Sequence, residues 1–424
     1  MKISLVVPTR SRAIYLRETL RTVAAAAALC PVEVEVVVSD NASEDDTPQV
    51  CRDAGLANLV YVRQPQRLSM RQNFEAALNA ATGSHIVFIG DDDGVAPQGF
   101  ARLAEMAASG EYEILKWRVV NYIWPDPGRG GRGSVLLRTN KLSGRVRRID
   151  PHTLLADFTG GRFGTYQSGG MIYHGCIRRD LIDRVRAAQD GTYFRTSCPD
   201  VYASVANLLH ARSPILAADI PVTIGGASPR SNGVSGKEYT QTAQTLQGSE
   251  YAKFLSETSG DPFLGRTPAS CASINLVVID ALQLAHDMAD RPLALNETAW
   301  ITRLTIEFAG LAHPVAVEAK EQAGALLGSA AAAIPLPDAT SRVAPAPAPV
   351  LVESAATTAL SLQLGRVRLQ GGPAMAGIAP AAFAIDTICG GGIPFARLPR
   401  TRFGMLRGMI QLLRRAKTWR QAQL

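Results

Sequence analysis

Three aspartates, Asp91, Asp92 and Asp93, follow directly on the apolar run Ile86–Ile89 and Gly90. Adjacent carboxylates repel one another unless something positive sits among them. No lysine or arginine lies within eight residues on either side. A hard divalent cation, Mg²⁺ or Mn²⁺, would balance the cluster, and such ions are commonly held by one or two carboxylates plus substrate phosphates. The residues therefore point to a metal–diphosphate site. The plainer alternative is a solvated acidic turn whose last aspartate caps the helix opened by Pro97.

The flanking pattern sets that turn in a recognisable frame. The β-branched run ISLVV (3–7) ends at Pro8 and reads as a buried strand. VEVEVVV (32–38), LVYV (59–62) and 85–90 read as further strands, and 113–120 as a fifth. Between them lie helical patterns: 14–29, one opened by Thr47–Pro48, one capped by Ser69 and closed by Gly83, and one opened by Pro97. Strands alternating with helices argue for an α/β unit with a mostly parallel central sheet. Ligands of such sheets bind beyond the carboxyl ends of the strands. Thr9 and Arg10, Asp40 and Asn41, and Asp91–Asp93 stand at those ends. The first strand leads into PTRSR rather than a GxGxxG turn, so a dinucleotide fingerprint is absent.

Bulk composition bounds the class. The chain has 424 residues, 46% of them hydrophobic and 19% charged, as in ordinary globular proteins. The net charge of +7 suits nucleic acid, a membrane or an anionic substrate equally. No arginine–aromatic interleaving favours RNA, and the basic residues cluster in a loop and a tail. Six cysteines are scattered without CxxC spacing, which argues against a zinc or redox motif and for a reduced, cytoplasmic setting. Neither a signal peptide nor a run of ~20 apolar residues is seen, so the expected location is cytoplasmic.

The segments SLVVPTRSRAIYLRETL, VVVSDNASEDDT, MRQNFEAALNAATGSHIVFIGDDDGVAP and CPDVYAS together resemble a family 2 glycosyltransferase of the GT-A, nucleotide-diphospho-sugar transferase fold. The likeness covers about residues 1–210, and GGASPRSNG extends it to about 235. It implies a GT-A catalytic domain over 1–235, with 1–120 as the nucleotide-sugar half and 121–235 as the acceptor half. By the same likeness Pro8, Thr9 and Arg10 meet the donor nucleotide, and Asp40 bonds its base or ribose. Asn41 stands where many relatives carry a second aspartate. Arg71 and Asn73 belong to the segment closing over the nucleotide. Asp91 and Asp93 match the DXD motif, with Asp92 between them and Asp93 as the direct metal ligand. Asp200 matches the acidic catalytic base, although an ordinary carboxylate at a helix start reads the same way.

The implied activity is metal-dependent, inverting transfer of a hexosyl group from a nucleotide-diphosphate sugar to a saccharide or lipid-linked acceptor. Surface polysaccharide or glycolipid assembly in a bacterium is the implied pathway. Two rivals are a sugar-1-phosphate nucleotidyltransferase, which needs a glycine-rich loop that PTRSRA lacks, and a non-catalytic GT-A-like scaffold. His174 reads as a core histidine, Gly169 and Gly170 as a turn or an acceptor approach, and the arginines of 129–148 as a solvated loop.

Residues 220–236 read as a polar loop, 236–333 as helical, and 334–349 as a Pro/Ala linker. From Arg400 the chain is basic without an acid. There Leu406, Met409, Ile410 and Leu413 form one helical face, which suits either a peripheral membrane contact or docking on the protein itself.

Overall fold

The computed structural model describes residues 1–125, 133–138, 142–229, 255–338, 359–363, 366–370 and 376–389. Strands β1 (Lys2–Thr9), β2 (Glu33–Asp40), β3 (Leu59–Arg63) and β4 (His85–Phe88) run parallel in the order β3-β2-β1-β4. Their near-continuous apolar runs follow from burial on both faces. Successive side chains point to opposite faces of a strand. Ile3, Leu5, Val7, Val36 and Val38 accordingly pack with Leu16, Leu20 and Phe100, from helices α1 (Ala13–Leu29) and α4 (Pro97–Ala107). Val6, Val37, Ile86 and Phe88 join a second core with Phe74 and Leu78 of α3 (Met70–Ala80). Ser69 caps α3 in a reciprocal box with Gln72. α2 (Thr47–Asp53) follows β2.

Beyond β4 the sheet turns antiparallel. β9 (Gly175–Arg178) pairs with both β4 and β6 (Ile114–Ile123). β10 (Ile215–Ala227) runs parallel to β6 and antiparallel to β5 (Gly94–Val95) and β8 (Val146–Ile149). β7 (Ser134–Arg138), β12 (Arg366–Gln370) and β11 (Ala359–Gln363) complete the edge. The whole is a mixed sheet: the N-terminal strands are all parallel, and the later ones combine antiparallel pairs with the parallel β6–β10 pair.

Two stretches differ from the sequence expectation. Residues up to Ala227 are strand rather than polar loop, because Ile220, Val222 and Ile224 are buried along β10. Within the run 169–177 only the last part is strand. Gly169 instead presses on α7 (Pro199–His210), where a Cβ would lie 2.1 Å from Ser204 Oγ. His174 takes φ 54°, which breaks the extended run.

α5 (Pro151–Thr159) and α6 (Arg179–Ala187) flank α7. The helical region that follows consists of α8 (Ile274–Met288), α9 (Glu297–Phe308) and α10 (His313–Leu327), with Leu276, Val277, Trp300 and Leu304 in the core that α7 shares. The linker from 339 and the basic tail from Arg400 lie outside the described residues.

α11 (Ile378–Cys389) returns to the N-terminal half. Ile378, Ala381, Ala382 and Ile385 pack with Tyr15, Tyr122 and Trp124. α4 has no side-chain cap of its own. Asp386 supplies one, its Oδ1 accepting from Gln98 N at 3.0 Å. Losing an N-cap costs about 1 kcal/mol, so Asp386→Ala should lower unfolding free energy by about that much in urea titration. Unchanged stability would show that this helix does not brace the start of α4.

Candidate functional site

The parallel register sets Thr9 beside Asp40. The acidic turn follows the neighbouring strand β4, so all three strand ends meet at one edge. A cavity opens there, walled by Pro8, Thr9, Arg10, Arg12, Asn41, Asn73, Asp91 and Asp92 on one side of the chain's contribution, and by Tyr166, Tyr173, Asp200, Glu257 and Ile274 from later segments.

The counter-charge missing from the local sequence comes from Arg12. Its Nη1 lies 2.7 Å from Asp91 Oδ1, and its Nη2 donates to Asp92 Oδ2 at 2.7 Å and to Ser228 Oγ at 2.6 Å. Its guanidinium also sits 5.3 Å from the Tyr15 ring centroid. Burial alone would lower the Arg12 pKa, but Asp91 and Asp92 outweigh it and raise it. The three aspartates are 2%, 5% and 1% exposed, so the turn is buried rather than solvated. Burial pushes the Asp91 carboxyl up to about 6, with Arg12 opposing and Asp92 reinforcing the shift. Thr9 Oγ1 donates to Asp91 Oδ2 at 2.7 Å.

Asp93 does a different job. Its carboxylate accepts from Gly90 N at 2.5 Å, Gly226 N at 2.7 Å and Tyr173 Oη at 2.7 Å. His174 Nε2 lies 3.3 Å away. Trp117 Nε1 donates to Thr223 Oγ1, whose hydroxyl faces His174 Nδ1 at 2.8 Å. With the hydroxyl proton on Nδ1, the ring proton falls on Nε2 and points to Asp93. Burial lowers the His174 pKa, against the pull of Asp93 and Asp92, which suits this neutral tautomer. A Cβ on Gly226 would stand 1.8 Å from the Asp92 carbonyl oxygen, so only glycine lets β10 close on the turn.

Asp91 and Asp92 reach the cavity and Asp93 does not. Asp93, expected as the direct ligand, is instead found bonded to Gly90, Gly226 and Tyr173, and all three carboxylates are buried rather than at an open edge. Among the described residues no group of three His, Cys, Asp or Glu is arranged to hold a metal by itself. The pair Asp91–Asp92 still fits a hard cation that takes its remaining ligands from phosphate oxygens. Asp91 Oδ1 is buried and, despite its proximity to Arg12, makes no hydrogen bond among the described residues.

Asp200 stands in the first turn of α7, where its own N–H and that of Val201 favour the charged carboxylate. Burial nevertheless pushes its pKa up to about 6. Tyr173, also on the wall, feels the charges of Asp93, Asp92 and Asp200, and burial raises its pKa. The Tyr166–Ser168 turn is held from below by Lys116, whose Nζ donates to the Ser168 carbonyl and to that of Gly169 at 3.2 Å.

The other expected nucleotide contacts divide. Pro8, Thr9, Arg10, Asn41 and Asn73 line the cavity. Asn41 is fixed by two 2.8 Å bonds to the Leu68 backbone, and Asn73 Oδ1 accepts from Ser39 Oγ at 2.8 Å. Asp40 is fully buried, accepting from Tyr61 Oη at 2.5 Å and Ser43 N at 2.8 Å, and shapes the loop after β2. Arg71 is buried against Asp261, with Nε–O distances of 2.9 and 2.7 Å, and lies over Phe263. Neither Asp40 nor Arg71 lines the cavity. Sequence reasoning missed Arg12, Tyr173 and Glu257. Arg12 had a signal, since PTRSR carries a second arginine two residues after the first.

Comparison with known proteins finds a likeness in the N-terminal part of the chain. Residues 4–170 match the model of glycosyl transferase family 2. Asp200 lies beyond the matched residues. No curated protein matches the chain. Similar solved structures include S. aureus TarS 1-349 in complex with UDP-GlcNAc, at 17% identity and TM-score 0.42, covering 76% of this chain and 88% of that one. Another is the mannosyltransferase PcManGT from Pyrobaculum calidifontis in complex with GDP-Man and Mn2+, at 17% identity and TM-score 0.37, covering 78% and 85%.

Two measurements probe this geometry. Removing one partner of a buried ion pair costs about 3–5 kcal/mol. Arg12→Met should therefore destabilise by about that much in chemical denaturation, and adding Asp91→Asn and Asp92→Asn should restore most of it. A mild effect without rescue would contradict the pairing. Asp200 keeps its proton to about pH 6 when folded, but only to about pH 4 when unfolded. Its ionisation thus opposes folding above pH 6. Asp200→Asn should raise Tm at pH 7.5, with the gain shrinking as pH falls toward 4. A lower Tm at pH 7.5 would contradict the assignment.

Proposed function

We propose that the protein is a metal-dependent, inverting glycosyltransferase that moves a hexosyl group from a nucleotide-diphosphate sugar to a hydroxyl of a saccharide or lipid-linked acceptor. One observation carries the reading: a single cavity is walled both by the Asp91–Asp92 pair and by Asp200, a carboxyl whose pKa is pushed up to about 6. The family match and the strand-edge position of the cavity support it.

Asp91 and Asp92 are the residues that would hold Mg²⁺ or Mn²⁺, which when bound supplies Lewis-acid stabilisation of the leaving diphosphate. Arg12 keeps the two carboxylates together and adds positive charge at the same wall. Asp93, through Tyr173, Gly90 and Gly226, keeps the turn in shape. Asp200 takes the proton of the acceptor hydroxyl as its oxygen bonds to the anomeric carbon and the bond to the diphosphate breaks. A pKa near 6 leaves this base ionised at neutral pH yet still basic enough to be useful. Direct displacement by one base gives inversion. Assembly of bacterial surface polysaccharide or glycolipid, at the cytoplasmic membrane face, is the pathway this acceptor class suits. No helix among the described residues is long and apolar enough to cross a membrane.

A transfer assay over a panel of UDP-, GDP- and dTDP-sugars tests the reading. Turnover should need Mg²⁺ or Mn²⁺, and kcat should fall as pH drops through about 6. Asp200→Asn should lose about a thousandfold in kcat while donor affinity stays within a few-fold. Undiminished turnover in excess EDTA would remove the metal from the proposal. A variant at position 200 that loses donor binding instead would place that residue in the wrong role.

A further inference from the structure

The cavity contains one acidic side chain that the proposed chemistry does not use. Glu257 belongs to a stretch after the N-terminal half that folds back over the start of α3. That stretch is anchored on both sides. Asp261 accepts from Ser69 Oγ and pairs with Arg71, and the Phe263 carbonyl accepts from Thr196 N at 2.8 Å. Arg71 and Arg195 also lie over the Phe263 ring, 5.0 and 4.6 Å from its centroid. Glu257 is thereby held as part of the wall.

Its side chain is 10% exposed. Oε2 is held by Arg10, while Oε1 is buried and has no hydrogen-bond partner among the described residues. The next cation, Arg67 Nη1, stands 4.0 Å from that oxygen. A buried carboxylate oxygen left without a donor is costly, so a ligand that offers one gains affinity there. The donor cannot sit on a phosphate, because a carboxylate repels one. It must belong to a neutral part of the ligand, a hydroxyl or an N–H.

Position narrows the choice. The Asp91–Asp92 turn follows β4 on one side of β1, and Asn41 follows β2 on the other. Arg10 directly follows β1, and Arg67 directly precedes Leu68, the residue that clamps Asn41. Glu257, between those arginines, is therefore on the Asn41 side, away from the wall suited to the diphosphate. An acidic side chain accepting from ribose hydroxyls is an established way to read a nucleotide's sugar. Resting on the glycosyltransferase reading above, we infer that Glu257 recognises the ribose hydroxyls of the donor nucleotide, with Arg10 holding its carboxylate in place.

Calorimetry on the full chain with Mn²⁺ tests this. UDP, GDP, CDP and ADP are titrated first, then the 2′,3′-dideoxy form of whichever binds. The wild type should prefer the ribonucleotide by about tenfold, the scale of one or two hydrogen bonds to a charged group. Glu257→Ala should bring that ratio to within about twofold while leaving the dideoxy affinity unchanged, with an unaltered circular dichroism spectrum. A ratio that survives in Glu257→Ala overturns the inference. So does an equal loss for both ligands, which would mark Glu257 as a structural partner of Arg10 or a reader of the base. If the wild type binds no nucleoside diphosphate, the glycosyltransferase reading fails as well, so the two failures are told apart.

Discussion

Two carboxylates buried side by side are tolerable only with a cation between them, and Arg12 is that cation. It bridges Asp91 and Asp92 from the residue just before α1, so the first loop and the acidic turn are locked as one unit. Asp91 is nevertheless pushed up to about 6 by burial, so the neutralisation is incomplete. An incompletely neutralised oxygen pair at a cavity wall is a natural seat for a hard cation with phosphate ligands. The charge problem that shapes the fold locally is thus the same one that the proposed metal-bound ligand would meet.

The rest of the molecule is arranged around that turn. From below, Thr19 of α1 serves the carbonyls of Asp91 and Asp93, and Trp124 donates to that of Asp92 at 2.9 Å. From the side, β10 closes in at Gly226, and Asp93 ties Gly90 to it. Behind β5, which follows the turn, Ile378 of α11 would meet a Cβ on Gly94 at 2.9 Å. The C-terminal segments therefore complete the N-terminal half: α11 braces the start of α4, and Glu257 and Ile274 finish the cavity wall.

Much of this was legible in the sequence because local patterns encode it. The parallel strands show as short β-branched runs, and Ser69 as a helix cap that the structure bears out. The strand-end rule alone brought Thr9, Asn41 and the acidic turn to one edge. What could not be read were contacts between distant segments. Arg12 and Asp92 are 80 positions apart, and Arg10 and Glu257 are 247 apart. Which of the three adjacent aspartates meets Gly226 and Tyr173 was likewise hidden. β10 looked like loop because its glycines and Pro221 mask the alternation of Ile220, Val222 and Ile224. Pro221 does mark an irregularity, a shift in register against β6.

A crystal structure with a nucleoside diphosphate and Mn²⁺ bound tests the central claim most directly. The account predicts the diphosphate against the Asp91–Asp92 wall, the ion on one or both of those carboxylates, and the nucleoside toward Asn41 and Glu257, leaving Asp200 free to face an acceptor. An ion on Asp93, or a nucleotide bound away from this cavity, would contradict it.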